Sequence, residues 1–257
     1  MESAHQHLAG KTAIITGAGQ GIGQGIALAM ADAGARVAAV GRTESKLEST
    51  REQIEAEGGV CATFVCDVKD ADGITATVDA VAEKFGRIDI LVNNAQQVPL
   101  GTLMAVSDDR FQKGFSSGPL ATFRFMKACH PHLQASGDAV ILNLTSSTTK
   151  RWDMGGYGPY AAVKSAIVSL TRAAAAEWGV DGIRALAIAP HAESAGLNWW
   201  IEANPEEAAA FFQTIPLRRI GDCRDDIGVA VAALCGPEFR YLTGATIPLD
   251  GGQAYFS

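Results

Sequence analysis

Short apolar, β-branched runs recur along the chain, and longer stretches with helical spacing fall between them. The runs predict strands over Thr12–Thr16, Arg36–Val40, Ala62–Val65, Ile88–Val92, Ala139–Leu144, Ile183–Ile188 and Ala245–Pro248. Each is short and apolar, as expected where helices cover both faces of a parallel sheet. Between the runs, Gly21–Ala33 carries Ile22, Ile26, Ala29 and Ala33 on one face, with Gly34 as its stop. Glu44–Glu57 is charged and ends at Gly58-Gly59, and Tyr160–Trp178 is rich in Ala. This alternation predicts an α/β protein, a doubly wound, seven-stranded parallel sheet with right-handed crossovers. No linker, repeat or low-complexity tract interrupts it, so residues 1–257 read as a single domain, least regular between Glu193 and Asp222.

Composition narrows the function classes. Apolar residues make up 47% and charged residues 19%, which describes a packed globule rather than a disordered chain. With 21 Lys+Arg against 28 Asp+Glu the net charge is −7, which argues against nucleic acid as a partner. No apolar run approaches the roughly 18–20 residues of a membrane span. The opening MESAHQHLAGK lacks a basic region and an apolar core, so a cytoplasmic, soluble protein is expected. The five cysteines are scattered without a CxxC pair, and His5/His7 and His130/His132 are poorly spaced for a metal. No metal is predicted.

The first predicted strand runs into Thr16-Gly17-Ala18-Gly19-Gln20-Gly21-Ile22-Gly23, and a helix begins inside that loop. Glycines there allow a sharp turn and let backbone N–H groups approach a pyrophosphate, while the helix N-terminus adds partial positive charge. Strict GxGxxG spacing fails, because position 22 is Ile and position 24 is Gln. Thr16, Gly17, Gly21 and Gly23 instead match the TGxxxGxG turn of the short-chain dehydrogenases/reductases. The resemblance continues through Asp67-Val68, Asn93-Asn94-Ala95, Tyr160-Ala161-Ala162-Val163-Lys164 and Leu249-Asp250-Gly251-Gly252, from Lys11 to Gly252. Alone each motif is weak; in this order, on these elements, they are specific. The resemblance implies a Rossmann-type fold and a nicotinamide cofactor held by Gly17, Gln20, Gly21, Ile22, Gly23, Asp67, Val68, Asn94, Tyr160, Lys164 and Pro190.

An acidic residue ending the second strand would accept hydrogen bonds from a ribose 2′-hydroxyl and favour NAD. Gly41 stands there, followed by Arg42-Thr43. With no carboxylate to repel a 2′-phosphate and Arg42 able to pair with one, NADP(H) is favoured over NAD(H). A solvated surface Arg is the bland alternative, and Gln20 adds no second cation.

Tyr160 and Lys164 are four apart and share a helix face. A free Tyr titrates near 10, so acid–base work near neutrality needs a group that stabilises its phenolate, and an ammonium within reach has the right sign. In the family the matching Lys also binds the nicotinamide ribose, and a strand-end Ser polarises the carbonyl. Asn143-Leu144-Thr145-Ser146 fits that NxxS pattern and marks Ser146, whereas the family's interval back from Tyr160 points to Ser147; both stay open. Tyr157, seven before Lys164, also resembles the Tyr-x6-Lys pattern of divergent enoyl reductases. The TGxxxGxG turn and Gly158-Pro159 favour ketone chemistry, with Tyr157 lining the pocket.

Four departures cluster where cofactor would meet substrate. Gln96 replaces the Gly of NNAG, His191 the Gly after Pro190, and Ala195 a Thr. Gly118 stands where the resemblance expects an Asn that holds a water linking the active-site Lys to solvent. Gly118-Pro119 also predicts a bent or broken helix, because Pro lacks the helical donor. Two readings stay open: waters replace that Asn, or the site has moved toward slow turnover or ligand binding. The retained Tyr160, Lys164 and strand-end Ser favour the first.

The family's substrate lid corresponds to about residues 191–222, where His191, Leu197, Trp199, Trp200, Phe211 and Phe212 lie; Trp152 and Met154 precede Tyr157. They suggest a small-molecule substrate that is apolar, cyclic or aromatic. Core or interface packing explains the same aromatics equally well. A secondary alcohol/ketone oxidoreductase is the leading expectation, with a nucleotide-binding regulatory protein as its rival. The resemblance also implies a homo-oligomer, a tetramer or dimer.

Overall fold

The computed structural model describes residues 6–151 and 155–256. Seven strands form one wholly parallel sheet: β1 (Thr12–Thr16), β2 (Arg36–Gly41), β3 (Val60–Val65), β4 (Ile90–Asn93), β5 (Ala139–Leu144), β6 (Ile183–Pro190) and β7 (Thr246–Leu249). Their order is β3-β2-β1-β4-β5-β6-β7, so the chain winds outward in one direction from β1 and in the other from β4. Helices α1 (Gly21–Asp32), α2 (Glu44–Ala56), α3 (Ala71–Phe85), α4 (Asp108–Ser117), α5 (Pro119–Ser136) and α6 (Gly158–Trp178) fill the crossovers. After β6 come α7 (Ala195–Ala203), α8 (Pro205–Thr214), a π-helical segment over Cys223–Gly228 and α9 (Val229–Leu234).

The period-two geometry of the strands sorts the core into two layers. Ile15, Val37, Val92, Leu142 and Ile188 face a cluster closed by Ile26 and Met30 of α1, Leu47 and Ile54 of α2 and Val231 of α9. Ile14, Val40, Leu91 and Ile141 face the opposite cluster, closed by Val78 of α3, Phe125 and Leu133 of α5 and Ala174 of α6. Because both faces are covered, the central strands read as unbroken apolar runs.

The strand boundaries shift for identifiable reasons. β4 begins at Ile90 rather than Ile88 because Asp89 is a bracket: its buried carboxylate accepts from the Thr12 N–H at 2.8 Å and the Ser136 hydroxyl at 2.5 Å and pairs with Arg87. β3 starts earlier than predicted, at Val60, because it is an edge strand paired only with β2 from Arg36↔Val60 onward. The stretch from Glu193 to Asp222, expected to be irregular, holds two helices. Ser194 caps the first by accepting from Leu197 N–H, and Pro205 opens the second. The predicted break at Gly118 is present: α4 ends at Ser117 and α5 begins at Pro119. Among the described residues no helix is long and apolar enough to cross a membrane.

Candidate active site

β1 and β4 are neighbours whose following loops leave in opposite directions, which opens a crevice at their C-terminal ends. A cleft of about 540 Å³ lies there, lined by Gly17, Gln20, Gly21, Ile22, Gly23, Arg42, Thr43, Asp67, Val68 and Asn94. Every cofactor-side residue expected from the sequence, apart from Tyr160, Lys164 and Pro190, lines this one cleft. Pro190 ends β6.

Two glycines make the turn possible. Gly17 has φ +71°, and a Cβ there would lie 2.7 Å from the Asn94 amide nitrogen; at Gly23 it would lie 2.2 Å from the Gly17 carbonyl oxygen. Any side chain would push α1 off the strand. Asn94 ties the two loops together, its amide donating to the Thr16 carbonyl at 2.9 Å while its backbone N–H donates to the Thr16 hydroxyl at 2.9 Å. The open backbone and the N-terminus of α1 suit a pyrophosphate, so the residues present fit a dinucleotide.

Lys46 was not anticipated. It lines the same cleft as Arg42, one turn into α2, and its ammonium donates to the Gln20 side chain. The signal was present in the sequence as a cation four residues after Arg42, but only the fold turns the start of α2 toward the glycine-rich loop. Glu193, Ser194 and Gln97 also line the cleft without having been singled out as binding residues.

The residues expected to transfer a proton converge from β5 and α6. The Lys164 ammonium is buried, donates to the Leu144 carbonyl at 2.6 Å, and stands 5.5 Å from the centre of the Tyr160 ring. The Thr145 hydroxyl donates to the Lys164 carbonyl at 3.2 Å and locks strand end to helix. Burial lowers the Lys164 pKa to about 7. Burial pushes the Tyr160 phenol up to about 12, opposed by its hydrogen bond with Ser146. At neutral pH Tyr160 is therefore a protonated acid, held against one hydroxyl and one lysine.

The two serines separate in space. Ser146 is the partner of Tyr160 and caps a short helical turn by accepting from Thr148 N–H at 3.2 Å. Ser147, also expected at the substrate, is buried and donates to the Asp250 carboxylate at 2.6 Å, tying the loop after β5 to the loop after β7. Tyr157 forms the N-terminal boundary of α6 and packs edge-on against Tyr160, with ring centres 6.5 Å apart.

The aromatic residues expected at a lid divide. Trp200 packs edge-on against Phe211 at 5.9 Å, and Phe211 against His191 at 5.7 Å, forming a row beside the end of β6. Trp199, expected at the substrate, is 69% exposed on the outer side of α7, because neighbouring helical positions point about 100° apart. Trp152 and Met154 lie outside the described residues. Burial lowers the His191 pKa, partly countered by Asp250, and its Nδ1 is enclosed without a partner among the described residues. A second cavity of about 550 Å³ is lined by His191, Leu217, Asp226, Leu249 and Asp250 among others.

A parallel sheet with its nucleotide crevice at the β1/β4 divergence, and a Tyr–Ser–Lys group at the end of β5, define a dinucleotide-dependent oxidoreductase scaffold. The comparisons agree. A family profile described as enoyl-(acyl carrier protein) reductase matches residues 17–254. The 12alpha-hydroxysteroid dehydrogenase of Clostridium sp. (strain ATCC 29733 / VPI C48-50) is 38% identical over 252 residues, 95% of this chain and 96% of that protein. A solved structure from Sinorhizobium meliloti 1021, provisionally described as a short-chain alcohol dehydrogenase, superposes with a TM-score of 0.90 at 34% identity, covering 96% of this chain and 97% of that one. A single-residue variant of the actinorhodin polyketide ketoreductase, solved with NADPH, gives 0.90 at 26% identity, covering 97% and 99%. The chain belongs to the short-chain dehydrogenase/reductase family of oxidoreductases.

Proposed function

We propose that this protein interconverts a secondary alcohol and a ketone with NADP(H), acting on an apolar cyclic or aromatic substrate. The observation that carries the reading is the Tyr160 phenol held between the Ser146 hydroxyl and the buried Lys164. A bound nicotinamide would supply or accept the hydride. In reduction the substrate oxygen is polarised by Ser146 and takes the Tyr160 proton, while Lys164 orients the site. In oxidation the proton returns along the same line.

Tyr160 rather than Tyr157 is assigned the proton because Lys164 lies over the Tyr160 ring and Ser146 bonds to it. That favours carbonyl reduction over the enoyl reduction in the family description. Cations at Arg42 and Lys46, with no carboxylate at Gly41, support NADP(H) over NAD(H). The hydroxysteroid named in one relative and the polyketide in another support a fused-ring or aromatic substrate. The row Trp200, Phe211 and His191 supports a substrate lid over about residues 191–222. Partly exposed Phe111, Leu120 and Phe123 on α4 and α5 support a homo-oligomer.

The test is a fluorescence titration with NADPH and NADH side by side, followed by NADPH oxidation with α-tetralone and cyclohexanone. Tighter NADPH binding and turnover lost in Tyr160→Phe are expected. Turnover unchanged in Tyr160→Phe overturns the mechanism, and binding of neither nucleotide overturns the reading.

A further inference from the structure

The nucleotide cleft is charged unequally at its two ends. Sheet order β3-β2-β1-β4-β5-β6 sets out its lining in space. Arg42, Thr43 and Lys46 follow β2, the glycine-rich turn follows β1, Asn94 follows β4, and Glu193 follows β6. The two cations and Glu193 therefore stand on opposite sides of the turn. Asp67, the other carboxylate among the lining residues, lies on the Arg42 side after β3 and pairs with Lys69 at 3.5 Å. Glu193 is exposed, and among the described residues no cation pairs with it.

The base of the 191–222 segment fixes Glu193 in place. Ala192 and Gly221 form an isolated parallel bridge. The Glu193 N–H donates to the Gly221 carbonyl at 3.0 Å, and the Cys223 thiol donates to the Glu193 carbonyl at 3.2 Å. Neighbouring side chains of an extended segment point to opposite sides. Ala192 is buried in the core layer closed by α1, and Glu193 lines the cleft. Its backbone is thus held from two directions, while the carboxylate is left for whatever the cleft receives.

On the proposed function, Tyr160, Ser146 and Lys164 mark where the reacting carbon sits, at the end of β5. The nicotinamide half of the nucleotide then belongs toward β5 and β6, and the adenosine half toward Arg42 and Lys46. The oxidised nicotinamide ring carries a positive charge and the reduced ring none, and the rest of the nucleotide is the same in both forms. The Lys164 ammonium at this end has the opposite sign to Glu193, but burial lowers its pKa to about 7 and so reduces its charge near neutrality.

We propose that Glu193 is a specificity-determining residue for the redox state of the nucleotide, its carboxylate favouring the cationic oxidised ring over the neutral reduced one. At equal concentrations of the two forms the protein is then loaded for alcohol oxidation. In that direction the carbinol C–H bond breaks and its hydride goes to the ring, which loses its charge. The O–H proton goes to the Tyr160 phenolate as the ketone C=O forms. The proposal rests on the function given above.

Isothermal titration calorimetry with NADP+ and NADPH, on wild type and Glu193→Gln, tests it. The readout is the ratio of the two dissociation constants, in which any general repulsion between Glu193 and the phosphates cancels. An exposed charge pair contributes modestly and is screened by salt. Glu193→Gln is expected to lower Kd(NADPH)/Kd(NADP+) about two- to fivefold, with the melting temperature unchanged. In wild type, raising NaCl from about 0.05 to about 0.5 M is expected to weaken NADP+ binding more than NADPH binding, a check that needs no variant. A ratio that moves less than about twofold in Glu193→Gln, or an equal salt effect on both forms, overturns the proposal. Wild type that binds neither nucleotide overturns the proposed function, and this assignment with it.

Discussion

The Lys164 ammonium stands 5.5 Å from the centre of the Tyr160 ring while donating to the Leu144 carbonyl at 2.6 Å. Helical spacing brings the two side chains to one face, and the end of β5 fixes the nitrogen. Tyr160→Phe removes the phenolic hydroxyl and leaves the ring, so turnover is expected to fall at least ~100-fold while nucleotide affinity stays within a few-fold. Initial rates and fluorescence titration on the same preparation check this.

Ser146 and Ser147 separate rate from stability. Ser146→Ala takes away the hydroxyl on Tyr160 and lowers kcat with little change in melting temperature. Ser147→Ala leaves the Asp250 carboxylate short of a buried partner and costs about 1–3 kcal/mol, read by denaturant unfolding. The reverse pattern would reassign the two roles.

Lys164 makes stability depend on pH in a defined direction. Its folded pKa of about 7 lies below the ordinary 10.5, so below pH 7 it is charged in both states and its burial penalty is fully present. Between these values the unfolded chain keeps a proton that the folded protein has released, and stability rises with pH. The melting temperature of the nucleotide-free protein climbs from pH 7.0 toward 9.0, and Lys164→Met flattens the climb. Above pH 9.0 the buried thiols of Cys61, Cys129 and Cys235, raised by burial, act in the opposite direction. An equal slope in both proteins would remove Lys164 as the cause.

Arg42 and Lys46 share the rim of the cleft. A charge-assisted hydrogen bond contributes about 1.5–3 kcal/mol, so removing either cation weakens NADPH binding roughly 10- to 100-fold. NADH, lacking the 2′-phosphate, binds each variant about as well as wild type. Parallel titrations of Arg42→Ala and Lys46→Ala read the difference, and equal losses for both nucleotides would contradict it.

Arg218 is exposed and adopts φ +59°, the only positive φ outside glycine among the described residues. That conformation costs an L-residue ~1–2 kcal/mol, and glycine returns part of it as unfolded-chain entropy. Arg218→Gly should stabilise by about 0.5–1 kcal/mol in chemical denaturation.

A side chain at Gly118 has the opposite sign. Its Cβ would meet the Gly114 carbonyl oxygen at 2.9 Å as well as Val163 and Gln96. Gly118→Asn is expected to destabilise by about 1–3 kcal/mol through overpacking, measured by thermal melting.

Much of this molecule was legible in its residues. All seven strands were placed from apolar runs, because a sheet covered on both faces must be apolar throughout. The glycine-rich turn was legible from its local spacing, whereas Asp67, Asn94, Tyr160 and Lys164 were marked by the family resemblance; the fold brings the turn, Asp67 and Asn94 to one cleft. Boundaries such as Asp89 escaped, since its partners Thr12 and Ser136 are distant in sequence.

What the sequence left open depends on long-range proximity. Order along the chain could not separate Ser146 from Ser147; in the fold Asp250 stands beside Ser147 and Tyr160 beside Ser146. Nor could it show that Gln96 and Gly118, two separate departures from a family pattern, are one exchange of volume across a helix break. Local spacing is written in covalent geometry, whereas which side chains share a void depends on how packed elements from distant parts of the chain come together.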